Sequence, residues 1–240
     1  MRTKTLLCAA ALAAGVATSM AQSNVYSLNV VGYVNTKLTG GFAYNLIANP
    51  LNNTNNNITN LFANLPATQD GSSIYRWDAT ISDFQADSYV YDAAAAQWKK
   101  NGGSDVSGFN LKPGEAIFYV NQGNDLTNTF VGEVIQAPPG FTNVLVGGFA
   151  YNAVGSSAPI GNNFSNSIVG LVPGDGDTIL TWNVGATDFD SNYASYDLAA
   201  HLWKDAASVP NPNINIGVGI GFFYINQNAN NVWVRNFTVQ

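Results

Sequence analysis

Residues 70–99 and 175–204 align without a gap at an offset of 105, with 12 identities in 30 positions. The kept pairs are Asp70/Asp175, Gly71/Gly176, Ile74/Ile179, Trp77/Trp182, Asp83/Asp188, Phe84/Phe189, Tyr91/Tyr196, Asp92/Asp197, Ala94/Ala199, Ala95/Ala200, Trp98/Trp203 and Lys99/Lys204. Gly40–Asn45 (GGFAYN) recurs as Gly147–Asn152, and Phe118–Gln122 (FYVNQ) as Phe223–Gln227 (FYINQ). A fixed period over most of a chain means one structural unit used twice. What both copies keep is aromatic and turn chemistry, not a catalytic set.

Period-two runs dominate each copy. Val25–Val34, Phe42–Ala48, Ser73–Trp77, Ser88–Asp92, Ala116–Val120 and Leu126–Val131 read as strands, with counterparts in the second copy. Asp70-Gly71, Asp175-Gly176 and Lys112-Pro113-Gly114 are turn signals ahead of strands. Ile58, Leu61, Phe62 and Leu65 share one helical face, and Phe164, Ile168 and Leu171 do so less well, so each unit has room for one short helix. The expected fold is all-β: two tandem homologous units, each a β-sandwich or small barrel. A kelch-like propeller fits two copies of this length poorly. The boundaries are 1–21 for a signal peptide, 22–134 for unit one and 135–240 for unit two. Gln136-Ala137-Pro138-Pro139-Gly140 is the expected linker, since Pro-Pro-Gly continues neither a helix nor a central strand.

The signal peptide rests on Arg2 and Lys4, the apolar run Leu6–Ala17 and the small-x-small site Ser19-Met20-Ala21. Cys8 lies inside it, so the exported chain would be free of cysteine and would depend on packing for stability. No later stretch approaches the roughly 20 apolar residues of a membrane-spanning helix, and the strands are mostly too short for a membrane barrel. Only 10 % of residues are charged. Without Arg2 and Lys4, seven basic residues face fifteen acidic ones, a formal net charge of −8. Seven scattered cations build no basic patch, which argues against nucleic acid and anionic membranes as partners.

Trp77, Trp182, Trp98 and Trp203 are the candidate ligand residues, because exposed aromatic rings stack on sugars. Trp77 alternates onto the face of Tyr75, and Trp182 onto that of Leu180, which favours core packing for this pair. Trp98 and Trp203 follow a turn and precede lysine, so they are the better candidates for exposure. The aspartates kept by both copies sit beside turns, where they cap backbone N–H groups. Glu115 becomes Ile220 in the second copy, an acid used only once. Asp175-Gly176-Asp177 and Asp188-Phe189-Asp190 space their acids as a calcium loop does, without an EF-hand continuation. A single His and the lack of cysteine in the exported chain exclude a conventional zinc site. His201, alone in a turn, lacks the context of a nucleophile triad. Gly217–Gly221 lacks the Lys-Ser/Thr ending of a phosphate loop. No cofactor is expected.

Tyr26–Asn35 (YSLNVVGYVN), Phe42–Leu51 (FAYNLIANPL), Leu111–Tyr119 (LKPGEAIFY) and Arg235–Val239 (RNFTV) together resemble a family. It is a set of secreted, duplicated β-domain proteins of Verrucomicrobia-like bacteria, which carry VGYVN, LIANPL and LxPGEAFF motifs. The resemblance implies export and a duplicated β fold, and brings no catalytic residues. The second copy departs from it where Gly219-Ile220-Gly221 replaces the Pro-Gly-Glu turn.

The reading is a secreted, non-catalytic structural or adhesive protein at the cell surface, outside the cell or in the periplasm. Self-association through edge strands, with Asn24–Asn35 as a donor strand, is one mode. A glycan-binding module pair is the alternative, gaining avidity from two weak sites. A glycoside hydrolase built on Glu115 and an aspartate is less favoured. It would require a deep cleft in unit one that unit two lacks.

Overall fold

The computed structural model describes residues 30–136, 140–163, 170–191, 193–210 and 214–237. The expected signal peptide, Pro138-Pro139, and Phe164 and Ile168 of the second expected helix lie outside them.

In the first half, β1 (Val31–Leu38), β2 (Ala43–Ala48), β3 (Ser73–Asp78), β4 (Asp83–Asp92), β5 (Gln97–Lys100), β6 (Ala116–Asn121) and β7 (Leu126–Glu133) follow in order. One short helix, α1 (Ile58–Leu61), interrupts them, capped by the Asn57 side chain on the Thr59 N–H. The second half contributes β8 (Phe141–Leu145), β9 (Ala150–Gly155), β10 (Asn162–Asn163), β11 (Thr178–Leu180), β12 (Trp182–Asn183) and β13 (Asp188–Phe189). It continues with β14 (Ala194–Asp197), β15 (Leu202–Asp205), β16 (Asn215–Ile216), β17 (Gly221–Asn226) and β18 (Asn231–Arg235).

The first half forms an antiparallel sheet in the order β2-β6-β3-β4-β5, and the second one in the order β9-β17-β11-β14-β15. These orders correspond strand for strand. A separate two-stranded ribbon accompanies each sheet, β1 with β7 and β8 with β18. The protein is all-β, as the alternation predicts, and no sheet closes into a barrel.

The central strands of each sheet, β6 and β17, are covered on both faces. Towards its own ribbon, the first sheet sends Ile47, Ile74, Ile117, Tyr119 and Trp98 against Val34, Leu38 and Phe130, with Ile58 and Phe62 from the helix. The second sheet packs Ile179, Phe222, Tyr224 and Trp203 against Leu145 and Trp233 in the same way. The opposite faces meet each other around Leu46, Ala48, Ala116, Phe118 and Phe223. Four layers result: ribbon, sheet, sheet, ribbon. This is why β6 reads AIFYVN with all six residues buried instead of alternating.

The contact between the sheets is self-reciprocal, like the isologous interface of a two-fold dimer. Trp77 Nε1–H crosses to donate to Tyr151 O at 2.6 Å, and Trp182 Nε1–H donates to Tyr44 O at 2.7 Å. Trp77 stands edge-on to Phe223 at 5.0 Å, and Trp182 to Phe118 at 4.9 Å. The Ala48 N–H bonds Gly219 O and the Gly155 N–H bonds Gly114 O, both at 3.0 Å. Near the local axis each residue meets its own counterpart. A Cβ on Gly155 would overlap the Ala48 methyl, and one on Gly221 would lie 2.8 Å from that of Ala116.

Candidate functional site

The four tryptophans lie in or against the packed cores. Trp98 and Trp203, expected to be exposed, are only 2 % and 5 % accessible. β5 and β15 pair with β4 and β14, so alternate residues of these four-residue strands face opposite ways. Trp98 points inward beneath Phe62, with ring centroids 6.2 Å apart, while Lys99 turns outward to Asp92. Trp77 and Trp182 keep some exposure, but their indole N–H groups and ring faces are engaged between the sheets.

The aspartates kept by both halves cap turns. Asp70 accepts the Ala93 N–H and Asp175 the Leu198 N–H, at 2.9 and 3.0 Å. Asp92 accepts the Ala95 N–H at 3.0 Å and Asp197 the Ala200 N–H at 2.9 Å. Lys99 pairs with Asp92, and Lys204 with Asp197. These lysine bonds first, then the backbone donors, hold both carboxyls below the usual carboxylate range. A depressed folded-state pKa gives stability that is present above the unfolded value and lost as pH falls through the folded one. These two aspartates should therefore add stability above the unfolded carboxylate pKa and lose it as pH falls through their lower folded values. Replacing Lys99 and Lys204 with Gln should move that loss to higher pH, read by urea midpoints across the acid range.

The calcium spacing has another use. The Asp177 carboxylate is buried and accepts from Gly174 N–H at 2.6 Å, Gln227 N–H at 2.9 Å, Asn228 Nδ2 at 2.9 Å and the Tyr224 hydroxyl. Burial, together with Asp177, raises the pKa of the Tyr224 hydroxyl, which stays protonated. Among the described residues no group of three or more metal-ligating side chains assembles. His201 is exposed in a turn at φ +54°, where Ala96 adopts φ +51°.

Glu115 lines a cleft of about 300 Å³ between the halves, with Arg76, Trp77, Lys112, Asn143 and Val154 among its walls. Its Oε2 accepts the Lys112 N–H at 3.0 Å and lies 4.0 Å from Arg76. It is the only carboxylate among those walls. The counterpart cleft, about 340 Å³, is lined by Thr181, Trp182, Asp190 and Ile220.

The feature that neither core nor turn chemistry explains is the Gly-Gly-Phe tip. Phe42 and Phe149 are each 65 % exposed, at φ +65° and +66°. A bulky side chain in this left-handed region costs about 1–3 kcal/mol. Both halves carry it with the same neighbours. Gly41 and Gly148 also have positive φ and open space around them, leaving the phenyl rings clear. The backbone beneath is fixed: the Phe42 N–H bonds Asn121 O and the Phe149 N–H bonds Asn226 O, both at 2.7–2.8 Å.

Buried amides brace each tip from below. Asn45 Oδ1 accepts the Thr39 N–H, and its Nδ2 bonds Thr39 O, Ala43 O and Tyr119 O. Asn152 repeats this with Val146, Ala150 and Tyr224. Asn121 and Asn226 reach Leu38 O and Leu145 O from the neighbouring strand. The sequence carried a signal for these tips, six identities in six across GGFAYN. It lies at an offset of 107, outside the longer ungapped block.

No helix among the described residues is long and apolar enough to cross a membrane. Comparison with family models, with curated proteins and with solved structures finds no match to this chain.

Proposed function

We propose that this is an exported, non-catalytic adhesive or recognition protein whose paired scaffold presents two equivalent aromatic tips. The carrying observation is the strained, exposed Phe42 and Phe149, built twice on the same braced turn. Backbone strain kept at an exposed aromatic is a cost to folding, which a contact outside the chain would offset. The glycan alternative moves with them, from the tryptophans to these rings. A phenyl ring preceded by two glycines offers an unobstructed face to a neutral sugar, and the net charge of −8 disfavours anionic lipid.

Strand addition at the outer sheet edges is disfavoured by local geometry. β5 and β15 are short and carry Lys99, Lys100 and Lys204. Their own chain covers part of each edge, through Lys100 N–H to Asp105 O and Asp205 N–H to Val209 O. Such edges resist pairing with another molecule.

The test separates fold from contact. Phe42→Gly and Phe149→Gly together should leave the protein folded and raise its melting temperature by a few degrees, because αL strain is relieved. The same double variant should lose retention on the insoluble polysaccharides or cell envelopes that hold the parent chain. Two tips acting together predict a loss of roughly tenfold or more from either single variant. Unchanged retention of the double variant would defeat the proposal, as would a parent chain that no such surface retains.

A further inference from the structure

Seven cations remain once Arg2 and Lys4 are set aside, and all are among the described residues. Four are tied to aspartates: Lys37 to Asp125 at 2.8 Å, Lys100 to Asp87 at 2.7 Å, Lys99 to Asp92 and Lys204 to Asp197. Arg235 is buried, donating to Asn143 Oδ1, Ser157 Oγ and Gly155 O with its guanidinium over the Trp233 ring. The last two, Arg76 and Lys112, stand in the wall of the same cleft between the halves. Lys112 is exposed, and its ammonium has no ion-pair partner among the described residues. Arg76 lies over the Phe109 ring at 4.6 Å and only 4.0 Å from Glu115.

In an acidic protein two cations facing one cleft, with a single carboxylate between them, mark an anion site. The other half gives the contrast: the equivalent positions are Thr181 for Arg76, Ile220 for Glu115 and Gly217 for Lys112. There the Thr181 hydroxyl donates to Asp190 at 2.6 Å, so the equivalent corner is acidic. We propose that the first cleft binds the carboxylate of a monosaccharide-sized ligand, with Arg76 and Lys112 as its charge partners. Two cations beside one resident carboxylate leave a single net positive charge, which matches a monoanion. A dianionic phosphate would leave one of its charges unmatched there. Trp77, Phe141 and Val154 supply an apolar wall for the body of the ligand. The volume, about 300 Å³, is at the small end for ligand pockets. This site shares no residue with the aromatic tips and stands or falls without them.

The probes are galacturonic acid, trigalacturonic acid and their methyl esters, titrated into the exported chain by calorimetry at low salt. The acids should bind and the esters should bind about tenfold more weakly or not at all, since a charge-assisted pair is lost. Tighter binding of the trimer identifies a residue within a polysaccharide as the source, and equal binding identifies a free acid. Arg76→Gln and Lys112→Gln should each weaken the acids by about three- to tenfold, while Glu115→Gln should tighten them. Lys204→Gln, in the other half, should change nothing. Lys112 is exposed, so its variant reports even if Arg76→Gln fails to fold. Equal affinity for acid and ester, weakening by Glu115→Gln, or no heat from either acid at millimolar concentration would overturn the proposal.

Discussion

One methyl group added at Gly155 is expected to cost about 3 kcal/mol, and removing another from Ala48 to recover most of it. The two positions face each other where the sheets meet, with no space for a second Cβ. Neither backbone can yield freely, since Ala48 N–H is bonded to Gly219 O and Gly155 N–H to Gly114 O across the same junction. Gly155 lies in β9, where any residue can adopt the backbone, so the loss would come from overlap alone. Urea midpoints of Gly155→Ala, Ala48→Gly and the double variant measure this, provided the slope stays constant. A Gly155→Ala chain as stable as its parent would show that the sheets do not pack this way.

Asp177→Ala should be the most damaging side-chain change, at about 4 kcal/mol. It would strand four donors in a buried site: the Gly174 and Gln227 N–H groups, Asn228 Nδ2 and the Tyr224 hydroxyl. The first half meets the same demand with two neutral residues. Tyr119 and Ser72 donate to Gln69 Oε1 at 3.1 and 3.0 Å, and Ser72 Oγ accepts the Gln122 N–H at 3.1 Å. With the load shared and no charge involved, Ser72→Ala should cost only about 1–2 kcal/mol. Equal losses at Ser72 and Asp177, by chemical denaturation, would contradict this account of the two networks.

Much of the architecture was readable from alternation and turns, because those signals are local. β2, β3, β6 and β7 fall where the period-two runs place them, and Ile58, Leu61 and Phe62 of the short helix are buried. The retained amides at 45, 121, 152 and 226 bond backbone at strand ends, as polar side chains do there. What alternation cannot state is what lies on either side of a sheet. Lys99 beside Trp98 suggested a solvated stretch, yet neighbours on a strand face opposite ways. Trp77 and Trp182 were correctly placed on an apolar face, but that face belongs to the contact between halves. Phe42 read only as the start of a strand, because backbone strain has no sequence signature except glycine, and both halves put phenylalanine there. Arg235 takes the place of Phe130 in the ribbon, a substitution that only three-dimensional neighbours could accommodate.

The pairs along the local axis, alanine on one side and glycine on the other, give the duplication a direction. Two copies of the first half would bring Ala48 against Ala48 and Ala116 against Ala116, with methyl groups colliding. Two copies of the second would set bare Gly155 and Gly221 against themselves and leave a void. Each half has thus become a mould for its sibling, and the covalent tether holds together what is chemically an obligate heterodimer.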